Sequence, residues 1–322
     1  MKHCFLKALE KKQNFLNTNP ESSDDSDGSI SSDDEEEVSK DIVYKWYNNR
    51  YLAIKYLGKG TFCRTWLMYD IVTYKFVAMK MFFSKYTEDS KNELKINKLL
   101  TSNDYIVKLI DNFVENNSVC LIYELMGITL LDLMDYYDDG IPLNIVKKIL
   151  KQVFMGVDEL HSHNIIHCDL KAENIMIKQF DIDIREIVDY ISNLDIEKMY
   201  ENLITENLPD NYSEFDKNKK KNVKRKAKKK CMNLLSDIIK NKFEEYIEVE
   251  DCEFEFNETE LKCKIIDLGN SEINGSNNED EVMIRSYRPP ENIINPFYNE
   301  KADIWTIGCI AYELITGEYL FE

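Results

Sequence analysis

Hydrophobic and polar residues alternate along the chain between about residues 44 and 126. This alternation predicts five strands, in "YLAIKYL", "TWLMYDI", "KFVAMKMF", "YIVKLIDNFVE" and "SVCLIYELM". A turn is expected near Thr73 and Tyr74, between the second and third of them. One segment, "SKNELKINKLL", instead has the spacing of an amphipathic helix. These residues therefore predict a lobe that is rich in strands.

The pattern changes to mostly helical from "NIVKKILKQVFMGVDELHSHNI" onward. A strand-rich part followed by a helix-rich part predicts an α+β chain of two lobes. We place the first lobe at residues 44–126 and the second at residues 127–322.

Residues 178–262 interrupt the second lobe and are called the insert below. The insert contains two helix-like segments, "IREIVDYISNLDIEKMYENLI" and "CMNLLSDIIKNKFEEYI", with the basic run "KNKKKNVKRKAKKK" (217–230) between them. We interpret the run as a solvated linker, with a nuclear import signal or an anionic docking tail as alternatives. Because long surface insertions carry only a slowly growing entropic penalty, we expect the fold to tolerate removal of the insert.

Composition narrows the classes of function. Residues 1–43 include an acidic, Ser-rich stretch at 21–40, which predicts a disordered segment. The net charge of −18 favours basic partners and argues against nucleic-acid binding, except through the basic run. No apolar run is long enough for a membrane span. The eight cysteines form no C-x-x-C pair, which predicts an intracellular protein with reduced thiols.

The stretch "LGKGTFCRTW" lies between two predicted strands. Glycines at 58 and 60 allow a turn to approach phosphates closely, and the strand that follows excludes a dinucleotide-binding fold, which needs a helix there. Lys80 lies in the apolar strand "VAMK", where an unpaired amine is costly. Glu93 in the predicted helix can supply its counter-charge, unless the amine reaches water at the strand end.

The stretch "HCDLKAENIMI" brings three polar side chains into one short loop. Asp169 can accept a hydroxyl proton, Lys171 can neutralise a transferring phosphoryl group, and Asn174 can offer an amide oxygen to a cation. Asp267, which follows the strand-like run in "KIIDLGN", can hold Mg²⁺. Phosphoryl transfer requires this set of groups.

Together these motifs resemble those of a eukaryotic protein kinase, over residues 44–322 without the insert. "GKGTFC" resembles the Gly-rich loop, "VAMK" the strand with the ATP-binding lysine, "HCDLKAEN" the catalytic loop, "DLG" the metal-binding motif and "PPE" the end of the activation segment. Glu93 matches the partner of that lysine. "DIWTIGCIAYEL" resembles the buried helix whose Asp, here Asp303, holds the backbone of the catalytic loop.

In its details the chain is similar to the SR-protein kinases of the CMGC group. Cys63 replaces the third glycine, Leu268 replaces the usual Phe, and "IRSYR" carries the CMGC arginine, Arg288. Cys168 stands where most kinases have an arginine that pairs with a phosphorylated activation loop. The resemblance therefore implies activity that does not depend on this phosphorylation.

The chain departs from the kinase pattern at three places, of which one is the pair Pro289 and Pro290, which stiffens the segment before Glu291. Ile284 replaces a Thr that usually bonds the catalytic Asp and Lys. The sequence also ends at Glu322, soon after the buried helix, so we expect a truncated second lobe. Glu291 is then expected to lack its usual arginine partner, and the apolar faces of residues 303–321 to be partly uncovered.

The resemblance implies a bilobal kinase-like fold and an ATP- and Mg²⁺-dependent serine/threonine kinase that acts on basic, Arg/Ser-rich proteins. The alternative is a pseudokinase or scaffold that binds nucleotide or partners without efficient turnover. The implied catalytic residues are Asp169, Lys171 and Asn174, and Mg²⁺ would be held by Asn174 and Asp267. The implied ATP-binding residues are Leu57, Gly58, Lys59, Gly60, Thr61, Phe62, Cys63, Arg64, Thr65, Ala78, Lys80, Glu93, Glu124 and Met126, with Tyr123 also on the adenine side.

Overall fold

The first lobe is built on a six-stranded antiparallel sheet with strand order β1-β2-β3-β4-β6-β5. A computed structural model describes residues 42–100, 104–180, 182–246, 256–274, 283–294 and 298–321. The strands are β1 (Trp46–Tyr47), β2 (Tyr51–Lys59), β3 (Cys63–Asp70), β4 (Lys75–Phe82), β5 (Leu109–Glu115) and β6 (Ser118–Glu124). The predicted disordered segment, residues 1–43, lies outside the described residues except for residues 42 and 43. Helix α1 (Thr87–Leu99) follows β4.

The second lobe is organised around two long helices that pack against each other. Helix α3 (Leu143–Ser162) buries one apolar face, including Ile145, Ile149 and Val153, against α8 (Lys301–Thr316). The lobe also contains the short helices α2 (Leu130–Met134) and α7 (Pro290–Ile294). Two short strand pairs complete it, β7 (Ile165–Ile166) with β10 (Glu272–Ile273) and β8 (Ile175–Ile177) with β9 (Cys263–Ile265). The predicted two-lobed α+β architecture is confirmed.

The insert forms three helices: α4 (Ile182–Ser192), α5 (Ile196–Glu206) and α6 (Lys217–Tyr246). The first predicted helical segment is thus two helices. The break occurs at Asp195, which has a left-handed backbone (φ 45°) and accepts a hydrogen bond from the amide of Lys198 as the N-cap of α5. An N-cap residue lies outside the regular helix, so the chain turns there.

All three insert helices pack on the sheet of the first lobe. Leu52 and Leu67 of the sheet share one apolar cluster with Ile187, Ile191 and Leu235 of the insert. The indole nitrogen of Trp46 also donates a hydrogen bond to the carbonyl of Met232, at 2.8 Å. The insert is therefore part of the core of the first lobe, which argues against the expectation that the fold tolerates its removal.

The interpretation of the basic run as a linker is wrong, because the run forms the first half of α6. Lysine and arginine have high helix propensity, so their charge does not prevent a helix. Val223, Ala227 and Cys231 recur every fourth residue on one face, where Ala227 and Cys231 are buried. Burial of this stripe stabilises a helix that composition alone did not predict.

Apolar side chains are partly uncovered along α8 and in the residues after it, as predicted. They are Ile304, Trp305, Tyr312, Ile315, Tyr319, Leu320 and Phe321. The rings of Trp305 and Phe321 stack on each other at 5.6 Å. Glu291 is exposed to solvent, so it is not an unpaired buried charge. Within the described part of the chain, no helix is long and apolar enough to cross a membrane.

Candidate active site

A buried lysine links three elements at the cleft between the lobes. The Nζ atom of Lys80, on β4, lies 2.7 Å from Glu93 Oε2 on α1 and 2.8 Å from Asp267 Oδ1, just after β9. Burial alone would lower the pKa of Lys80, but the two carboxylates outweigh it and raise the pKa above its usual value. Although burial acts to raise the pKa of Asp267, the Lys80 ammonium holds it below its usual range. The sequence-based pairing of Lys80 with Glu93 is confirmed.

A tyrosine and an asparagine hold the other side of Glu93. The Tyr123 hydroxyl donates to Glu93 Oε1 at 2.7 Å, and Asn97 Nδ2 donates to the Tyr123 hydroxyl at 3.1 Å and to the Glu93 carbonyl at 2.8 Å. Tyr123 was predicted on the adenine side, but its hydroxyl is directed to Glu93. Asn97 was missed. The sequence indicated this contact by the position of Asn97 four residues after Glu93, which places both residues on the same face of the helix.

The backbone of the catalytic loop is fixed by one buried carboxylate. Asp303 accepts hydrogen bonds from the amides of His167 (2.9 Å) and Cys168 (3.2 Å), and its Oδ2 lies 2.8 Å from His161 Nε2. Cys168 has a left-handed backbone (φ 65°), which lets two successive amides point to one side chain. The predicted role of Asp303 is confirmed.

Cys168 lies in a small cluster of neutral and acidic groups. Its Sγ atom is 3.6 Å from the hydroxyl of Tyr298, which donates to Glu272 Oε2 at 2.8 Å. Glu272 belongs to β10, at the start of the segment after Asp267. The catalytic loop is thus connected to this segment by side chains that carry no positive charge.

Asp169 presents one oxygen to three donors. Its Oδ2 lies 3.1 Å from Asn174 Nδ2, 3.3 Å from Asn270 Nδ2 and 3.3 Å from Lys171 Nζ. Among the described residues Oδ1 has no hydrogen-bond partner, so it is available to a substrate hydroxyl. Asn270, three residues after Asp267 in "KIIDLGN", was not predicted as a site residue. Ile284 is 45% exposed and offers no donor to this group.

Two oxygen ligands suitable for a hard cation lie beside Asp169 and Lys80. The side-chain nitrogen of Asn174 donates to the carbonyl and the carboxylate of Asp169. The side-chain oxygen of Asn174 is therefore left for another partner. Both side-chain hydrogen bonds of Asp267 in the described chain use Oδ1, which leaves Oδ2. Carboxylate and amide oxygens are the ligands that Mg²⁺ prefers, so these residues fit the predicted role.

The Gly-rich loop connects β2 to β3 through a turn closed by a hydrogen bond from the Gly60 amide to the Cys63 carbonyl, at 2.9 Å. Thr65 pairs with Lys80 across the sheet, and their side chains share the cleft face. The side chains of Phe62 and Arg64 instead contact Tyr86 and Phe83. Their predicted contact with phosphates is therefore restricted to the backbone.

The remaining predicted loop residues lie on either side of that turn. Leu57 is partly exposed at the end of β2, Lys59 and Gly58 complete the strand opposite β3, and Thr61 lies in the turn. Cys63 is buried, which raises the pKa of its thiol to about 11 and makes it unreactive.

The connection between the lobes carries the predicted adenine contacts. Ala78 pairs with Tyr123 next to it, and the carboxylate of Glu124 binds the amine of Lys264. In the described chain the Met126 amide forms no backbone hydrogen bond and remains available to a ligand. A Cβ atom at Gly127 would lie 1.8 Å from the carbonyl oxygen of Gln179, so only glycine allows the chain to leave the connection here.

Comparison with known proteins gives consistent results. The chain is similar to protein kinase dsk1 of Schizosaccharomyces pombe, with 28% identity over 87% of this chain and 63% of the relative. It is also similar to serine/threonine-protein kinase SRPK of Physarum polycephalum, with 28% identity over 85% of this chain and 62% of the relative. SRSF protein kinase 3 of Mus musculus is 37% identical over 50% of this chain and 33% of its own length. The predicted resemblance to SR-protein kinases is confirmed, and the chain spans less than two thirds of these relatives.

The fold is also that of a known structure. A crystal structure of a kinase domain superposes with a TM-score of 0.58 and 22% identity, covering 88% of this chain and 70% of that chain. The predicted bilobal kinase-like fold is thereby confirmed. The sequence matches the protein kinase domain over residues 51–192 and 254–322, which leaves out most of the insert. The chain belongs to the protein kinase domain family.

Proposed function

We propose that this protein is a serine/threonine kinase that transfers the γ-phosphate of ATP to a hydroxyl of a protein substrate. The observation that carries the proposal is the bonded set Lys80, Glu93 and Asp267. This set is assembled next to a carboxylate, Asp169, that keeps one oxygen for an acceptor. A scaffold that only packs against partners does not require this arrangement of charges.

In the proposed reaction the substrate oxygen attacks the γ-phosphorus while the bond from that phosphorus to the bridging β–γ oxygen breaks. Asp169 Oδ1 orients the hydroxyl and accepts its proton, and ADP leaves with the electron pair of the broken bond. Lys80 holds the α- and β-phosphates. Lys171, bonded to Asp169, neutralises charge on the transferring group.

Asn174 and Asp267 are the residues that would hold Mg²⁺. When bound, the ion neutralises charge on the phosphate oxygens. The loop from Gly58 to Thr65 would cover the phosphates with its backbone, and the Met126 amide would bind the adenine ring.

We further propose that the substrates are basic, Arg/Ser-rich proteins and that the protein acts inside the cell. The net charge of −18 favours basic partners, and one similar protein, SRSF protein kinase 3, is named as a kinase of SRSF proteins. The six described cysteines are free and buried, which fits a reducing compartment.

The alternative function is binding of nucleotide without turnover. It is favoured by Ile284, which cannot supply the hydrogen bond that a Thr would give to the catalytic Asp and Lys. Asn270 argues against this alternative function, because its side-chain amide donates a hydrogen bond to Asp169 Oδ2. The two functions differ in one measurable quantity, the rate of phosphoryl transfer at saturating ATP.

The substitution Asp169→Asn tests the proposal. We expect phosphoryl transfer to an Arg-Ser repeat peptide to fall about 10²- to 10⁴-fold, because the variant removes the proton acceptor. The affinity for Mg-ATP, measured by titration of a fluorescent nucleotide, should change little.

The matched control is Asp158→Asn, which makes the same chemical change at an exposed position of α3. It should leave both quantities unchanged. Transfer by Asp169→Asn within about threefold of the wild-type rate would remove Asp169 from this role. Nucleotide binding by the wild-type chain without any transfer would establish the alternative function.

A further inference from the structure

The first half of α6 concentrates positive charge on the surface of the insert. Ten of the fourteen residues from 217 to 230 are Lys or Arg, and none is acidic. Among the described residues, none of these ten side chains forms an ion pair with a carboxylate. Like charges at helical spacing repel one another, so an anionic partner would stabilise this surface.

A groove runs beside this charge. It encloses about 790 Å³ between α6 and the turn that connects β3 to β4. Arg225, Lys226, Lys228 and Lys229 line one wall, and Val72 and Tyr74 are on the opposite side. A cationic wall facing apolar side chains suits an extended acidic segment.

Strand β1, which begins four residues after the first described residue, passes next to the groove. Trp46 donates its hydrogen bond to the carbonyl of Met232, and Met232 itself lines the groove. The acidic residues 33–37 end nine residues before Trp46. An extended chain spans about 3.5 Å per residue, so Glu37 lies at most about 32 Å from Trp46. A short tether of this kind produces an effective concentration in the millimolar range.

We propose that residues 21–37 bind in this groove as an intramolecular partner of α6. This segment contains nine acidic residues and no basic one, which complements the ten cations of the helix. Single exposed ion pairs contribute little, so the affinity arises from the number of charges and from the tether, and it decreases with salt. The bound segment masks the basic run from other polyanions. Phosphorylation of the six serines between 21 and 37 adds charge and strengthens the contact.

Carbodiimide cross-linking of the full chain tests this placement, because it joins a carboxylate to an amine only when the two are in contact. At low salt we expect the acids of 33–37 to link to Lys226, Lys228 and Lys229, and the yield to fall several-fold in 0.5 M salt. Lys147 and Lys151, exposed on α3, are the internal control and should link at least fivefold less.

Three results would overturn the proposal. One is equal yield at the control lysines. Another is that most cross-links to the groove lysines come from the acids of 248–255, the other acidic segment close to α6 in the sequence. The third is a majority of links between copies, detected by mixing isotope-labelled and unlabelled chains.

Charge-reversal variants separate the groove from the rest of the helix. The double variant Lys226→Glu with Lys229→Glu should lose the cross-links at Lys228, the groove lysine that remains. The control variant Lys221→Glu with Lys224→Glu has the same change in charge outside the groove and should keep these cross-links. Circular dichroism checks that both variants fold.

Glu35→Lys with Glu36→Lys tests the contact without changing the described fold. We expect this variant to elute from heparin at higher salt than Asp158→Lys with Glu318→Lys, which has the same change in charge at exposed positions away from the groove, because only the first variant unmasks α6. Combining Glu35→Lys and Glu36→Lys with the groove variant should restore cross-links, now between the new lysines and the new glutamates. Equal elution of the two lysine variants would contradict the masking role.

Discussion

The cleft between the lobes and the contact between the insert and the sheet are both buried, but they are built from different interactions. In the cleft, Lys80, Glu93, Asp267 and Tyr123 are joined by hydrogen bonds of 2.7 to 2.8 Å, each with a defined direction. At the insert, apolar side chains of β2 and β3 meet those of three helices, and the indole of Trp46 adds a hydrogen bond to the carbonyl of Met232. The first contact arranges charge, and the second removes apolar surface from water. We therefore expect changes in the cleft to affect function, and changes at the insert to affect the free energy of unfolding.

The largest effect on stability is expected for Leu235→Ala, at the centre of the insert contact. Leu235 is fully buried, so the variant should lower the free energy of unfolding by about 2 to 5 kcal/mol. Leu234→Ala is the matched control, because Leu234 is the adjacent residue of α6 and is 36% exposed. Urea denaturation measures both variants.

Equal losses for the two leucines would mean that the insert does not pack on the sheet in solution. The protein that remains folded should keep its ATP affinity, since Leu235 does not contact the cleft network. A change in ATP affinity in the folded Leu235→Ala protein would show that the two regions are coupled.

A directed contact outside the cleft should affect stability alone. Glu313 on α8 is buried and accepts a hydrogen bond from the Tyr287 hydroxyl at 2.6 Å. Burial raises the pKa of Glu313 to about 7, although this hydrogen bond acts to lower it. A carboxyl group whose pKa is higher in the folded state binds more protons there than in the unfolded chain. Its contribution to stability is therefore complete below pH 4.5 and is lost as the pH rises through 7.

Glu313→Gln removes this titration and keeps a hydrogen-bond acceptor. Relative to the wild type, the variant should gain about 2 kcal/mol between pH 5 and pH 8, as measured by thermal unfolding at each pH. Glu318→Gln, at an exposed position, is the control and should show no such trend. A constant difference between Glu313→Gln and wild type across this range would mean that Glu313 is already ionised at pH 5.

Tyr123→Phe removes one hydroxyl from the cleft and should have a smaller effect. We expect phosphoryl transfer to decrease about 3- to 10-fold, because loss of one hydrogen bond to Glu93 is worth about 1 kcal/mol. Tyr69→Phe is the matched control at the insert contact, where in the described chain the hydroxyl has no hydrogen-bond partner.

The comparison of the two tyrosines uses the rate at saturating ATP and the ATP affinity. Tyr123→Phe should lower the rate or the affinity while the melting temperature changes little. If Tyr69→Phe gave the same kinetic loss, the hydroxyl of Tyr123 would not position Glu93.

The smallest expected effect is that of phosphatase treatment. Cys168 contacts Tyr298, which binds Glu272, and none of these three side chains carries a positive charge that could bind a phosphate. Activity should stay within twofold of the untreated protein, with removal of phosphate verified by intact mass. A large loss that an upstream kinase reverses would show that another cation orders this segment.

The contacts of the cleft were largely predictable from the sequence, whereas those of the insert were not. Lys80, Glu93, Asp169 and Asp267 lie in short motifs whose residue types and spacing are restricted by the chemistry. The direction of the Tyr123 hydroxyl was missed, because residue order does not determine which neighbour a side-chain donor meets.

Helix α6 shows a different reason for failure. Its charged composition indicated a solvated linker, yet the stripe of Val223, Ala227 and Cys231 was present in the sequence. Apolar packing is not directional, so a stripe indicates that a face is buried and not which surface covers it. Cys231 of this stripe contacts the backbone carbonyl of Leu203 on α5, and residue order alone does not indicate this neighbour.

The contact between Trp46 and Met232 has a consequence for synthesis of the protein. The two residues are 186 positions apart, so the sheet leaves the ribosome long before α6 exists to cover it. At about 5 to 20 residues per second, translation of the intervening chain takes about 10 to 40 s. During this interval the apolar face of β2 and β3 is open to water and to other nascent chains. The first lobe therefore cannot complete its folding as an independent unit, and the protein is most prone to aggregation, and most dependent on chaperones, before residue 246 has been added.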